Sequence, residues 1–404
     1  MSAKLQYISA ACNPVQHCLS VQDHSFAYGA CNAVIFGKID AKNNRLAATN
    51  AETGHTDRVN CVRFFAKGLL SGSTDKTVCL WQNQKVVQVF RGHEGSVTVV
   101  DGLHNVLVSA STDSTLRIWN HGLAEAKQVI PIAKHGFVLD LALIDPHGIQ
   151  WIIASLDDCT VHLYCEDSGG QFQFCHRLKG HEDWVQSLSV TLDDVSKDVL
   201  LASGGQDGFV RVWRFQSISQ DKALADQRSV PELGPDEDIE AKADIVFDHS
   251  NYYTVTTDTI LSGHDDKVFG VRWSSPNELL TASMDKTMIF WEQKDNFWSE
   301  SVRVGEVGGN TLGFLGCALS SHGAFLGYTF SGALHLWSKN SDTWSHGVVC
   351  GGHFGPVQDL DWDPQGHYLV STSQDQTTRI HAVWPNHGMY IYFFFQKQKG
   401  SKHL

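Results

Sequence analysis

Charge is sparse in this chain, and positive charge is sparser still: charged residues make up 19%, with 31 Lys and Arg against 44 Asp and Glu. A surface that holds a nucleic-acid backbone needs clustered Lys and Arg. A formal net charge of -13 therefore argues against primary nucleic-acid binding, though one local basic patch remains compatible with it. Other signatures are missing too. The ten cysteines are scattered, with no Cys-x-x-Cys pair, and Cys159 to Cys165 is the wrong spacing for a zinc ribbon. They read as small buried residues in a reducing compartment. There is no Gly-x-x-x-x-Gly-Lys-Ser/Thr loop and no His-Glu-x-x-His. The Gly-rich stretch Gly305 to Asn310 matches no nucleotide loop and reads as a turn. The longest apolar-aromatic run, Met389 to Phe395, is too short to span a bilayer. Met1 to Ala10 carries no basic segment followed by an apolar run, and there is no Asn-x-Ser/Thr site. The expectation is a soluble intracellular protein with no cofactor, no metal and no membrane partner.

What the chain does have is a repeat. Gly54-His55 is followed by Asp75 and then Trp81, and Gly92-His93 by Asp113 and Trp119. Gly180-His181 leads to Asp207 and Trp213, and Gly263-His264 to Asp285 and Trp291. In each set the aromatic falls six residues after the Asp. Three further units are degenerate. His135, Asp158 and Tyr164 make one. Another keeps Trp337 but has Asn310 and Ser331 where His and Asp are expected, and Gly352-His353 and Asp375 lead to His381. A weak first unit occupies 15–50. The spacing from His55 to His93 is 38 residues, and His93 to His181 spans 88, two units. A 40–45-residue repeat with a Gly-His signature marks the blades of a WD-repeat β-propeller, four strands to a blade. Segments such as Thr77 to Trp81 and Thr115 to Trp119 are β-branched and apolar after a polar turn, as strands require.

The expected fold is all-β: a seven-bladed WD-repeat propeller over 1–350, an eighth WD-like unit over 351–383, and a divergent tail over 384–404. Residues 1–10 supply an outer strand that closes the array. One interval is nearly double, from Trp213 to Trp291. Its excess, 216–258, holds ten acidic residues against three basic ones. Most of it reads as an exposed acidic loop, with 219–245 cut first by limited proteolysis and Tyr252 to Thr257 returning as an outer strand.

Recurring His, Asp and Ser invite a hydrolase reading, but a catalytic triad occurs once and needs an oxyanion hole. Here the set recurs blade after blade. The expected role of His55, Asp75, Trp81, His93, Asp113, Trp119, His181, Asp207, Trp213, His264, Asp285 and Trp291 is a structural network that satisfies buried polar groups. Histidines on different blades stand too far apart to share a metal. The position three after each leading His reads Arg58, Ser96, Trp184, Lys267 and Pro356. Trp184 is the large aromatic of the set, and it becomes the candidate partner contact, flanked by Arg58 and Lys267.

Several segments resemble the second-subunit family of the Elongator complex: Gly180 to Val185, Ser283 to Ile289, Val302 to Phe314, Gly332 to Trp337 and Asp375 to Arg379. The similarity runs from about residue 50 to about 382, the acidic insertion included. Members of that family carry two tandem propellers, and the similarity fades beyond Val383. The resemblance implies a non-catalytic scaffold, cytoplasmic and nuclear, whose partners are the other Elongator subunits. That assembly modifies the wobble uridine of certain tRNAs at carbon five, with the chemistry in another subunit. The competing reading is a generic WD-repeat adaptor, such as a ubiquitin-ligase substrate receptor or a histone-binding module.

Overall fold

A computed structural model describes residues 2–10, 12–40, 45–123, 125–132, 136–218, 244–248, 251–295, 297–305, 313–320, 324–329, 331–340, 343–363, 365–366 and 368–384. His135, Asn310, most of the acidic insertion (219–243 and 249–250) and the tail 385–404 lie outside the described residues.

Antiparallel sheets follow one another along the chain. Leu19–Gln22, Ser25–Ala30, Ala33–Asp40 and Arg45–Thr53 form the first. Val59–Phe65, Gly68–Ser73, Val78–Gln82 and Lys85–Phe90 form the second. Val97–Leu103, Val106–Ser111, Thr115–Trp119 and Gln128–Pro131 form the third; Val138–Ile144, Trp151–Leu156, Val161–Glu166 and Phe172–Leu178 form the fourth. The fifth holds Val185–Leu192, Val199–Gly205, Val210–Ile218 and Asn251–Leu261, with Asp244–Asp248 added at its edge. The sixth is Val268–Ser275, Glu278–Ser283, Thr287–Lys294 and Phe297–Gly305; the seventh is Phe314–Leu319, Ala324–Thr329, Leu334–Asn340 and Thr343–Cys350. In the eighth unit, Val357–Trp362, Tyr368–Ser373 and Thr377–Trp384 are completed by Ser2–Ala10. The fold is the all-β WD-repeat propeller architecture, with the eighth WD-like unit forming a sheet of its own. Within the expected span 1–350, Ser2–Ala10 is thus set apart: it pairs from Ser2↔Trp384 to Ala10↔Thr377 as the outer strand of that last sheet.

The inner hairpins share one turn. The residue after the Asp is left-handed in each: Lys76 at φ 70, Ser114 at 61, Cys159 at 67, Lys286 at 75 and Gln376 at 61. Glycine takes this position at Gly208 (φ 81) and Gly332 (φ 84), where the conformation carries no Cβ penalty. Elsewhere the Asp carboxylate offsets that penalty by accepting the amide two residues on, as Thr77 N–H donates to Asp75 Oδ1 at 2.9 Å and Thr287 N–H to Asp285 Oδ1 at 2.7 Å.

The chain divides into two compact units, one of Met1–Val89 with Ala318–Leu404 and one of Phe90–Cys317. In the first unit, Phe26, Tyr28, Val370 and Ile380 are fully buried together. There the amides of Leu19 and Val21 donate to Asp359 (3.1 Å) and Asp361 (2.8 Å) of the eighth sheet. In the second unit, Trp151 packs against Phe215 and Tyr253. Leu188 N–H donates to Asp140 Oδ2 at 2.8 Å, joining the innermost strands of the fourth and fifth sheets. The insertion departs from the loop reading at its end: Asp244–Asp248 pairs with Asn251–Leu261 as a fifth strand, and Tyr252 to Thr257 is part of the outer strand as expected.

Candidate functional site

The network assembles from three fixed positions per blade. The leading His lies in the loop four residues before the innermost strand starts. The Asp sits in the hairpin between the second and third strands, and the Trp lies on the third. In the second blade His55 Nδ1 lies 3.1 Å from Asp75 Oδ2, and Nε2 lies 2.8 Å from Ser71 Oγ. The Trp81 indole N–H donates to the same Ser71 oxygen at 2.8 Å. The third blade repeats this with His93 to Asp113 at 2.8 Å, His93 to Ser109 at 2.7 Å and Trp119 to Ser109 at 2.8 Å. In the fifth, His181 reaches Asp207 at 2.8 Å and Ser203 at 2.8 Å, and Trp213 reaches Ser203 at 3.1 Å. In the sixth, Thr281 replaces Ser: His264 to Asp285 is 2.9 Å, His264 to Thr281 2.8 Å and Trp291 to Thr281 3.0 Å. Because Nδ1–H donates to the carboxylate, Nε2 accepts from the hydroxyl, whose own oxygen accepts from indole.

The hydroxyl numbers were not read from the sequence, yet a signal exists. Ser71, Ser109, Ser203 and Thr281 each stand ten residues before their Trp. The same interval explains the degenerate blades. Ser371 stands ten before His381 and bonds His353 Nε2 at 2.9 Å, while His353 reaches Asp375 at 3.1 Å. His381 is buried in the indole position, and its Nε2 meets no partner among the described residues. In the fourth blade Ala154 stands ten before Tyr164, so no hydroxyl relay can form. There His162 Nδ1 meets the Tyr164 hydroxyl at 3.2 Å, and Arg177 Nε donates to His162 Nε2 at 3.1 Å.

An arginine closes the leading turn in the fifth and sixth blades. Arg211, two residues before Trp213, donates to Gly180 O at 2.5 Å. The sixth blade has Ile289 at that place. Arg303, its register partner on the outer strand, takes over and donates to Gly263 O at 2.7 Å. Arg177 is likewise the register partner of His162.

Burial pushes the His55, His93 and His353 imidazoles down against the pull of their Asp partners, which favours the neutral ring. Burial alone would raise the Asp113 carboxyl, but the Thr115 hydroxyl, the Glu94 amide and His93 hold it at about 2. Asp285 is also held at about 2: burial opposes, while His264, Thr287 and the Asp265 amide prevail.

Asp, His and Ser at these distances have the connectivity of a hydrolytic triad, but not its exposure. Ser71, Ser109, Ser203, Thr281 and Ser371 are each 0% exposed, and in four of the five blades the hydroxyl oxygen is already engaged by indole. A nucleophile needs a path to substrate and an open lone pair. The arrangement suits bracing of turns. Among the described residues no group of three or more His, Cys, Asp or Glu could hold a metal ion, and no helix is long and apolar enough to cross a membrane.

Trp184 is 46% exposed just before the innermost strand of the fifth blade, and its carbonyl accepts from Gln206 N–H at 2.8 Å. Lys267 occupies the same place on the sixth blade and donates to Gln206 Oε1 at 2.7 Å. Arg58 belongs to the other unit, where its Nε donates to Asn60 Oδ1 at 3.1 Å.

The WD domain, G-beta repeat family matches residues 48–82, 84–120, 172–214, 255–292 and 344–381. Over 423 residues the chain is 36% identical to Elongator complex protein 2 of Drosophila melanogaster, covering 96% of this chain and 53% of the relative. The chain carries WD repeats and is similar in sequence to Elongator complex protein 2. The Danio rerio protein of that name is 37% identical over 90% of this chain and 46% of its own length, and the Homo sapiens protein 34% over 89% and 47%. The chain thus spans about half the length of the curated relatives it matches. The fold alone is shared with the computationally designed Ika8 protein, at TM-score 0.67 and 17% identity over 93% of this chain and 98% of that one.

Proposed function

We propose that this chain is a non-catalytic WD-repeat scaffold of the Elongator complex, supporting carbon-five modification of wobble uridine in tRNA. The observation that carries the reading is identity of 34–37% to vertebrate and insect Elongator complex protein 2 over about nine-tenths of the chain. The buried, fully engaged hydroxyls support the non-catalytic part. The partners are other Elongator subunits, met in cytoplasm and nucleus, with Trp184, Arg58 and Lys267 as contact residues. Strong direct nucleic-acid binding is not expected at a net charge of -13. Depleting the chain from its cells and measuring modified wobble uridine by nucleoside mass spectrometry tests the role. The expected result is loss of the carbon-five-modified nucleosides, restored by re-expression. Unchanged levels would overturn the proposal.

A further inference from the structure

The fourth blade carries a second aromatic at the place of Trp184. Phe137 immediately precedes Val138, the first residue of that blade's innermost strand, as Trp184 precedes Val185. The two rings are 43% and 46% exposed, unusual for large side chains in a unit that buries Trp151, Phe172 and Phe215. Both belong to the second unit, on blades whose innermost strands are joined by the Leu188 to Asp140 bond. Stacked sheets lie about 10 Å apart, so the two strand starts lie on neighbouring blades at one end of the unit. The backbone that carries each ring is tied down. Phe137 exchanges two hydrogen bonds with Asp157, at 2.8 and 3.2 Å, and Trp184 N–H donates to Asp183 Oδ1 at 2.8 Å.

Among the described residues, the loops that carry the pair bring mostly negative charge. Asp157 and Asp158 come from the fourth blade, and Glu182 and Asp183 from the fifth. Asp158 and Glu182 are exposed. Three of them come near one thiol: burial, and then the charges of Asp183, Asp158, Asp207 and Asp157, push Cys159 up. Lys267 bounds the patch on the sixth blade, with its ammonium on Gln206.

Two rigid π-faces framed by carboxylates are complementary to a guanidinium, which stacks on aromatic rings and pairs with carboxylates through a planar fork. We propose that Phe137 and Trp184, with Glu182 and Asp158, form a docking surface for an arginine-containing basic segment of a partner protein. This deepens the scaffold reading and rests on it, by giving the chemistry of the segment that Trp184 meets. A nucleic acid is disfavoured here, since phosphates would face the carboxylates.

The test uses the full chain and fluorescein-labelled peptides of equal length, alternating Gly with Arg, Lys or Glu, read by anisotropy. The Arg peptide is expected to bind more tightly than the Lys peptide, and the Glu peptide not at all. The double variant Phe137→Ala/Trp184→Ala should bind the Arg peptide at least tenfold more weakly, and so should Glu182→Lys. Phe297→Ala, an exposed aromatic of the sixth blade, should bind like wild type. All three should keep the wild-type melting midpoint. Arg-peptide binding unchanged in the double variant would overturn the inference, reducing the effect to bulk attraction by an acidic protein. Co-purification of Elongator subunits by the same variants separates the two claims. Peptide binding lost with co-purification intact leaves the basic-segment surface standing and removes Trp184 from the Elongator contacts. The reverse keeps Trp184 as a contact and overturns the basic segment.

Discussion

Trp291→Ala lowers the unfolding free energy by roughly 3–5 kcal/mol, the usual cost of truncating a buried Trp. The indole is 5% exposed among Ala202, Val212, Leu261, Val271 and Ile289, so its loss opens a cavity between the fifth and sixth blades. It also removes the donor that holds Thr281, the hydroxyl that positions His264. Trp291→Phe keeps most of the ring and loses the N–H, and should cost about 1–3 kcal/mol. Phe297→Ala, at a side chain 78% exposed, should stay within about 0.5 kcal/mol of wild type. Urea unfolding reads all three. Equal midpoints for wild type and Trp291→Ala would contradict the structural role given to the repeated network.

Stability should fall steeply as pH drops from 6.5 toward 4.5. Burial holds His162 at about 4 and His381 at about 3, against an ordinary value of 6.5, and pushes His55, His93 and His353 in the same direction. A histidine depressed in the folded state binds its proton more readily once unfolded, so acid favours the unfolded chain. Its contribution is complete above pH 6.5 and is lost as pH falls through that window. At about 1.4 kcal/mol per pH unit, His162 and His381 should each lose roughly 2–3 kcal/mol by pH 4.5. Asp361 works the other way: burial pushes its carboxyl up to about 6, so the folded state gains roughly 2 kcal/mol from its protonation over the same range. The net loss is on the order of 3 kcal/mol before the other three histidines are added. Asp113 and Asp285, held at about 2, should produce a separate loss below pH 4. Urea midpoints measured at half-unit steps follow both transitions, and a midpoint that holds or rises from pH 6.5 to 4.5 would refute the burial of neutral histidines.

Much of this architecture is legible because its polar parts recur at fixed intervals. A buried His must meet an acceptor, and a hairpin Asp must cap its own turn. The spacing of His264, Asp285 and Trp291 therefore carries three-dimensional information that a variable apolar strand does not. The pattern gives out where a blade substitutes one solution for another. Ala154 removes the hydroxyl relay of the fourth blade, and His162 with Arg177 fills the space from residues that the repeat does not mark. That degeneracy also concealed Phe137, whose equivalence to Trp184 is visible only when Val138 and Val185 are aligned as strand starts. The edge strand Asp244–Asp248 was hidden for another reason: acidic surroundings mask a short β-run whose pairing is decided by the strand beside it.

Quantitative mass spectrometry of the tagged chain, purified from the cells that express it, tests the central claim most directly. The account predicts that the other Elongator subunits co-purify in near-stoichiometric amounts. A cullin adaptor or nucleosomes in their place, with no Elongator subunit enriched over an untagged control, would contradict it.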